Sequence, residues 1–125
     1  DLRFADAKGK NDPLRVLEAV QRNPEALVWA SSDCKNDHLI VLAAVRRSGQ
    51  ALELAGEVCK NDDEVVLAAV QEDGYALRWA SERCQNQREI VRQAVKQDWR
   101  SLEWASMSCK GDAELVFEAV RAGGR

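Results

Sequence analysis

Histidine is nearly absent from this chain, with His38 the only one in 125 residues. A catalytic role for it would need a nucleophile or an acid beside it, and nothing in the linear sequence puts one there. Proline occurs twice and glycine seven times, too sparsely for a low-complexity or linker-rich chain. No apolar run approaches the roughly 20 residues that span a bilayer, so no transmembrane segment is expected, and no signal peptide is visible. Basic charge is not in excess: 18 Lys and Arg face 21 Asp and Glu, a net charge of −3. That balance offers no footprint for a nucleic-acid partner. The four cysteines include no CxxC pair, and His38 supplies the only Cys/His pairing, with Cys34; no metal site and no cofactor is expected. Four unpaired thiols favour a reducing compartment, the cytosol or an organelle interior. The chain starts at Asp1 without a methionine, which suits a processed product or a fragment of a longer array.

What is present is a folded composition, 46% hydrophobic and 31% charged, arranged with a strict period of 25 residues. Leucine recurs at Leu2, Leu27, Leu52, Leu77 and Leu102; alanine at Ala5, Ala30, Ala55, Ala80 and Ala105; valine at Val16, Val41, Val66, Val91 and Val116. The pairs Ala19-Val20, Ala44-Val45, Ala69-Val70, Ala94-Val95 and Ala119-Val120 hold the same register. Five units (1–25, 26–50, 51–75, 76–100 and 101–125) account for the chain as a single repeat domain without insertions.

Within one unit, Leu27, Ala30 and Cys34 follow one helical face, and Ile40, Val41, Ala44 and Val45 follow a second. The spacing predicts two helices of about ten residues each, too short to stand alone in water. The expected fold is therefore all-α: an α-solenoid of five two-helix repeats, each covering its neighbour's apolar face. Its predicted core is Leu27, Ala30, Cys34, Val41, Ala44, Val45, Leu52, Cys59, Val66, Leu77, Cys84, Val91, Leu102, Cys109 and Val116.

Turn residues agree with this reading. Asn11, Asn36, Asn61, Asn86 and Gly111 suit a left-handed helix-terminating position. Asp12, Asp37, Asp62 and Asp112 suit an N-cap, with Gln87 in the fourth unit. Pro13 fits a first helical position. The second turn carries Asn23, Ser48, Asp73 and Asp98, followed by Pro24, Gly49, Gly74 and, out of pattern, Trp99.

The stretch from Cys59 to Ser81, CKNDDEVVLAAVQEDGYALRWAS, resembles the tandem repeat called domain of unknown function 4116, and the likeness extends along the whole chain. The resemblance implies a helical repeat protein for interaction or scaffolding and carries over no catalytic residue.

Four features are candidates for more than packing. The cysteines read as small hydrophobes of the core. The aromatic-rich column Phe4, Trp29, Leu54, Trp79, Trp104 reads as packing between units, or else as an exposed ladder for a partner. Lys10, Lys35, Lys60 and Lys110 stand at helix ends, and Asp63, Glu64, Glu89 and Glu114 at helix starts, where the dipole favours each. The fourth unit departs most, with Gln85, Gln87, Arg92, Gln93, Trp99 and Arg100. Arg88, Arg92, Trp99 and Arg100 are the candidate partner contacts, weighed against simple surface drift. The expected function is a non-catalytic helical-repeat scaffold for protein–protein interaction. The alternative is a permanent accessory subunit of a larger, possibly organellar, complex. Nothing in the sequence signals homo-oligomerisation, and the partner has no identity beyond another protein or complex.

Overall fold

The computed structural model describes residues 2–123. Five long helices form one layer: α1 (Pro13–Arg22), α2 (His38–Arg47), α3 (Asp63–Glu72), α4 (Arg88–Gln97) and α5 (Ala113–Gly123). A second layer is built from short 3₁₀ segments, Leu2–Phe4, Pro24–Trp29, Gly49–Leu54, Gly74–Trp79 and Trp99–Trp104. Each is followed by a four-residue α-turn, as in Ser32–Lys35 and Glu57–Lys60. Successive long helices pack side by side, successive 3₁₀ segments do likewise, and the 3₁₀ segments from Pro24 onward are each wedged between two long helices. The chain is an all-α solenoid in which hairpins meet mainly their immediate neighbours.

The first predicted helix of each unit is corrected by this structure: it is broken in two. Ala30, Ala55, Ala80 and Ala105 adopt extended backbone and end the 3₁₀ segments. The break has a cause. The amide of Ser31 bonds to the Lys10 carbonyl of the previous hairpin (2.9 Å), and Gly56, Ser81 and Ser106 repeat this bond to Lys35, Lys60 and Gln85. An amide committed across the seam cannot continue its own helix.

The asparagine column is also corrected. Asn11, Asn36, Asn61 and Asn86 sit at φ near −100° and ψ near 10°, and no residue with positive φ occurs among the described residues. Their value lies in the side chain. Asn11, Asn61 and Asn86 accept the hydroxyls of Ser31, Ser81 and Ser106 at 2.6–2.7 Å, twenty residues on. The same serines cap the next turn by accepting the amides of Cys34, Cys84 and Cys109.

Asp12, Asp37, Asp62 and Asp112 cap the long helices through the amides two or three residues on, whereas Gln87 makes no such bond. Glycine is needed at Gly49 and Gly74 because a Cβ there would run into the Ala69 and Ala94 carbonyls.

The core is the aliphatic strip between the layers. Leu27, Leu52, Leu77, Val41, Val45, Val66 and Val91 are fully buried, and Ala30, Ala44 and the four cysteines are buried. Each such Leu or Val contributes about 1.5–3 kcal/mol, several times what an exposed ion pair adds. The strip therefore holds the hairpins together, and the polar bonds along the seams set their register. Two predicted core residues are corrections: Val116 is exposed and Leu102 only half-buried, because no further hairpin covers the trailing face of the fifth among the described residues. No helix among those residues is long and apolar enough to cross a membrane.

Candidate interaction surfaces

The thiols lie inside the strip. Burial pushes the Cys59 thiol up to about 11, with Asp62 and Asp37 adding to the effect. Burial also raises Cys84, against the lowering effects of its Ser81 bond and of Arg83. Thiols held neutral in this way are poor nucleophiles. No cluster of three or more potential metal ligands occurs among the described residues.

His38 is a correction. Two acids flank it, both from the next hairpin: Nδ1 lies 2.8 Å from Asp62 Oδ2 and Nε2 lies 2.9 Å from Glu64 Oε1. The hydrogen bond to Asp62 raises its pKa above the ordinary histidine value, and the Glu64 charge adds to it. Oδ1 of the same Asp62 caps α3 by accepting the Glu64 and Val65 amides. Burial opposes ionisation of Asp62, yet His38 and these amides hold its pKa below the ordinary carboxylate value. The result is a clasp from the start of α2 to the start of α3.

The same position in the fourth hairpin is Arg88, which repeats the clasp on Asp112 (2.8 Å) and Glu114. Between these two seams the polarity reverses. The third hairpin offers Asp63, met by Arg83 Nη2 at 2.7 Å and by Gln87 Nε2 at 3.4 Å. Gln87 thus gives up the helix cap at a place where a second carboxylate would face Asp63. Much of the fourth unit's oddity is accommodation to its neighbours: Arg88 and Arg92 both turn to α5, Arg92 lying 3.8 Å from Glu118.

The candidate contacts do not converge. Arg88 and Arg92 line a small cleft with Glu114, Phe117 and Arg121. Trp99 and Arg100 line a different groove of about 330 Å³ with Leu102, Glu103, Val116, Ala119 and Val120. Arg100 is also paired with Asp98 (3.1 Å) and lies over the Tyr75 ring. Trp29, Leu54, Trp79 and Trp104 are half-buried between hairpins, and Phe4 is exposed. Gln50 accepts the Trp79 indole N–H at 2.8 Å, and Tyr75 stacks on Trp104 with centroids 6.0 Å apart.

A family model described as domain of unknown function (DUF4116) matches residues 12–58, 37–85, 62–108 and 87–125. The chain belongs to the DUF4116 family. No curated protein and no solved structure matches it. Each DUF4116 match begins at the N-cap of a long helix (Asp12, Asp37, Asp62 or Gln87) and the first three run past the next long helix. The family pattern therefore spans a seam between hairpins, the unit in which the hydrogen bonds and clasps above operate.

Measured against the other DUF4116 hairpins, the fifth is exceptional. Val16, Val41, Val66 and Val91 are wholly buried, and so are Val20, Val45, Val70 and Val95. Val116 and Val120, in the same columns, are 37% and 55% exposed, with Phe117 beside them at 62%. Val116 was expected in the core and is exposed instead.

Proposed function

We propose that this chain is a non-catalytic helical-repeat scaffold that works by holding another protein. The observation that carries the reading is the build of the solenoid: hairpins that meet mainly their immediate neighbours and so present an extended surface of the kind repeat proteins use for binding. Among the described residues the paired valines of four hairpins are buried, and those of the fifth, Val116 and Val120, are open beside Phe117. Exposed contiguous apolar side chains of this kind mark interaction sites. The non-catalytic part of the reading is supported by the burial of the four cysteines and by the carboxylates on both His38 nitrogens.

A second reading, a permanent accessory subunit, draws on the apolar character of that face, since obligate interfaces are the more hydrophobic ones. The test is recovery of the endogenous protein after mild crosslinking, compared with a Val116→Asp, Val120→Asp variant. A partner held by the wild type and lost from the folded variant supports the scaffold. Fixed stoichiometry through high-salt washing selects the accessory subunit. Recovery of the wild-type chain alone sinks both.

A further inference from the structure

We infer that the outer face of the first three long helices docks an amphipathic α-helix of a partner protein, laid across α1, α2 and α3, with acidic side chains along one flank and basic ones along the other. The inference rests on the scaffold reading and names the kind of partner. Leu14 and Leu39 carry it. Each is the second residue of a long helix, where α3, α4 and α5 have Glu64, Glu89 and Glu114. An acid there meets the positive end of the helix dipole, and a leucine forgoes that gain. Burial does not repay the loss: Leu14 is 79% exposed and Leu39 69%. Helices α1 and α3 both pack against α2, yet neither covers Leu39. Further hairpins at either end would therefore leave this face open.

The two leucines belong to a continuous lane. Arg92 reaches Glu118 (3.8 Å), so the fifth residue of one long helix stands beside the sixth of the next. In the same register Leu17 stands beside Ala43, and Leu42 beside Ala68. Leu42 is buried, and Leu17, Ala43, Leu67 and Ala68 are half-buried against the core. In the fourth hairpin the lane stops, because Arg92 takes the leucine's place and turns to Glu89 and Glu118. Three hairpins thus keep apolar side chains where the solenoid accepts charged ones. A contiguous patch, unlike a single stray leucine, marks a docking surface.

Charge decides what lies on it. The edge of the lane at the helix starts is acidic, with Asp12, Asp37 and Asp63. The edge at the helix ends is basic, with Arg22, Arg46 and Arg47. Among the described residues Arg22 and Arg46 pair with no carboxylate. Arg46 borders a cleft of about 380 Å³ lined by Leu67 and Ala68, and Glu72 beside it accepts the Gly49 amide. An occupant with bases on one flank and acids on the other answers both edges, and the charges fix its direction. An anionic membrane would meet the acidic edge, so a lipid surface fits less well. A helix also matches the pitch. Packed helices lie about 8–10 Å apart, and seven residues of helix advance about 10.5 Å. Apolar residues one heptad apart therefore meet successive hairpins.

The probe is a helical peptide of about 18 residues with leucines at i, i+3, i+7, i+10 and i+14, lysines on one flank and glutamates on the other. Its binding to the full chain is read by fluorescence anisotropy. Wild type and a Val116→Asp, Val120→Asp variant should bind it equally. Leu14→Glu, Leu39→Glu should bind it about tenfold more weakly or worse. Peptides with lysines on both flanks, or glutamates on both, should bind wild type several-fold more weakly. The leucine variant should melt no lower than wild type, since it carries the glutamate of the later hairpins. Equal binding by the leucine variant overturns the inference, as does no binding by wild type. A leucine variant that melts well below wild type also overturns it, by making these leucines part of the fold. Wild-type self-association, or capture on phosphatidylserine vesicles, that the leucine substitutions abolish overturns it by naming a second copy or a lipid surface as the occupant. After crosslinking, a partner kept by the leucine variant and lost only with Val116→Asp, Val120→Asp overturns it and leaves the scaffold reading standing. Recovery of the wild-type chain alone is a failure of the scaffold reading and does not alter these titrations.

Discussion

Nδ1 of His38 lies 2.8 Å from Oδ2 of Asp62, across the seam between α2 and α3. That pair makes stability depend on pH in a definite direction. His38 has a raised pKa in the folded chain, so its contribution is complete below the ordinary histidine value of about 6.5 and fades as pH rises through the folded value. Asp62 has a lowered pKa, so its contribution is present above the ordinary aspartate value and fades as pH falls through the folded one. The clasp is therefore strongest from about pH 4.5 to 6.5. Both groups are partly exposed, so screening limits its worth to about 0.5–1 kcal/mol. Unfolding free energies of wild type and His38→Gln from urea titrations should differ by that amount at pH 5.5 and converge by pH 8.5. A gap that stays constant would show that the imidazole acts by packing alone.

A Cβ on Gly56 would strike the carboxamide of Asn36, which has moved into the space left by the missing serine and accepts the Val58 amide at 3.0 Å. Alanine and serine at this position should act in opposite directions. Gly56→Ala displaces Asn36 and returns nothing for the Val58 bond, a loss of about 1 kcal/mol. Gly56→Ser also displaces Asn36, but restores the hydroxyl-to-carboxamide bond of the other three seams and adds an N-cap to Glu57–Lys60. It should gain about 0.5–1 kcal/mol. Thermal melts of the two variants would settle the matter, and a common sign for both would refute the account of the Asn–Ser ladder.

Gln87 lacks the cap bond that Asp provides at the other four long helices, and Asp63 stands 3.4 Å from its amide nitrogen. Two opposed terms follow for Gln87→Asp. The cap contributes about 1 kcal/mol, while a carboxylate facing Asp63 costs up to about 1 kcal/mol at an exposed site. The single variant should therefore be near neutral, and Gln87→Asp in an Asp63→Asn background should stabilise by about 1 kcal/mol relative to Asp63→Asn alone. Additive values in the double-mutant cycle would leave Gln87 without an electrostatic reason.

Period, class and most of the core were legible because the valine, alanine and leucine columns are one-body signals: each residue reports its own burial. The seams were not, because they are pairwise. His38 meets Asp62 and Glu64 at separations of 24 and 26 residues, and Asn11 meets Ser31 at 20. A 25-residue register, once found, invites a search for complementary groups one period apart, and the His38–Glu64 and Arg88–Glu114 pairs would have emerged from it. The 3₁₀ geometry was hidden for a related reason. Leu27, Ala30 and Cys34 do share a face, but the backbone between them is diverted by a bond to Lys10 that no local pattern encodes. Trp99 is a candidate partner contact from its residue type and its departure from the repeat. In place, it lies over Gly123, where a Cβ would overlap its ring, and it rims the trailing groove.

Ser101 stands where the three hairpins before it have Ala26, Ala51 and Ala76. Its hydroxyl is buried and, among the described residues, has no hydrogen-bond partner, although its own amide bonds to the Asp98 carbonyl. The site was cut for a methyl group: Gly74 approaches so closely that a Cβ there would press on Ser101 Oγ. A buried hydroxyl left unpaired costs about 1–3 kcal/mol, and its replacement by hydrogen leaves almost no void. Ser101→Ala should therefore stabilise the chain by about 1 kcal/mol, a rise in melting temperature of about 4 °C. Ala76→Ser, the reverse change one hairpin earlier, should cost a similar amount. Calorimetry of both variants checks the pair, and destabilisation by Ser101→Ala would mean that the hydroxyl is bonded in solution.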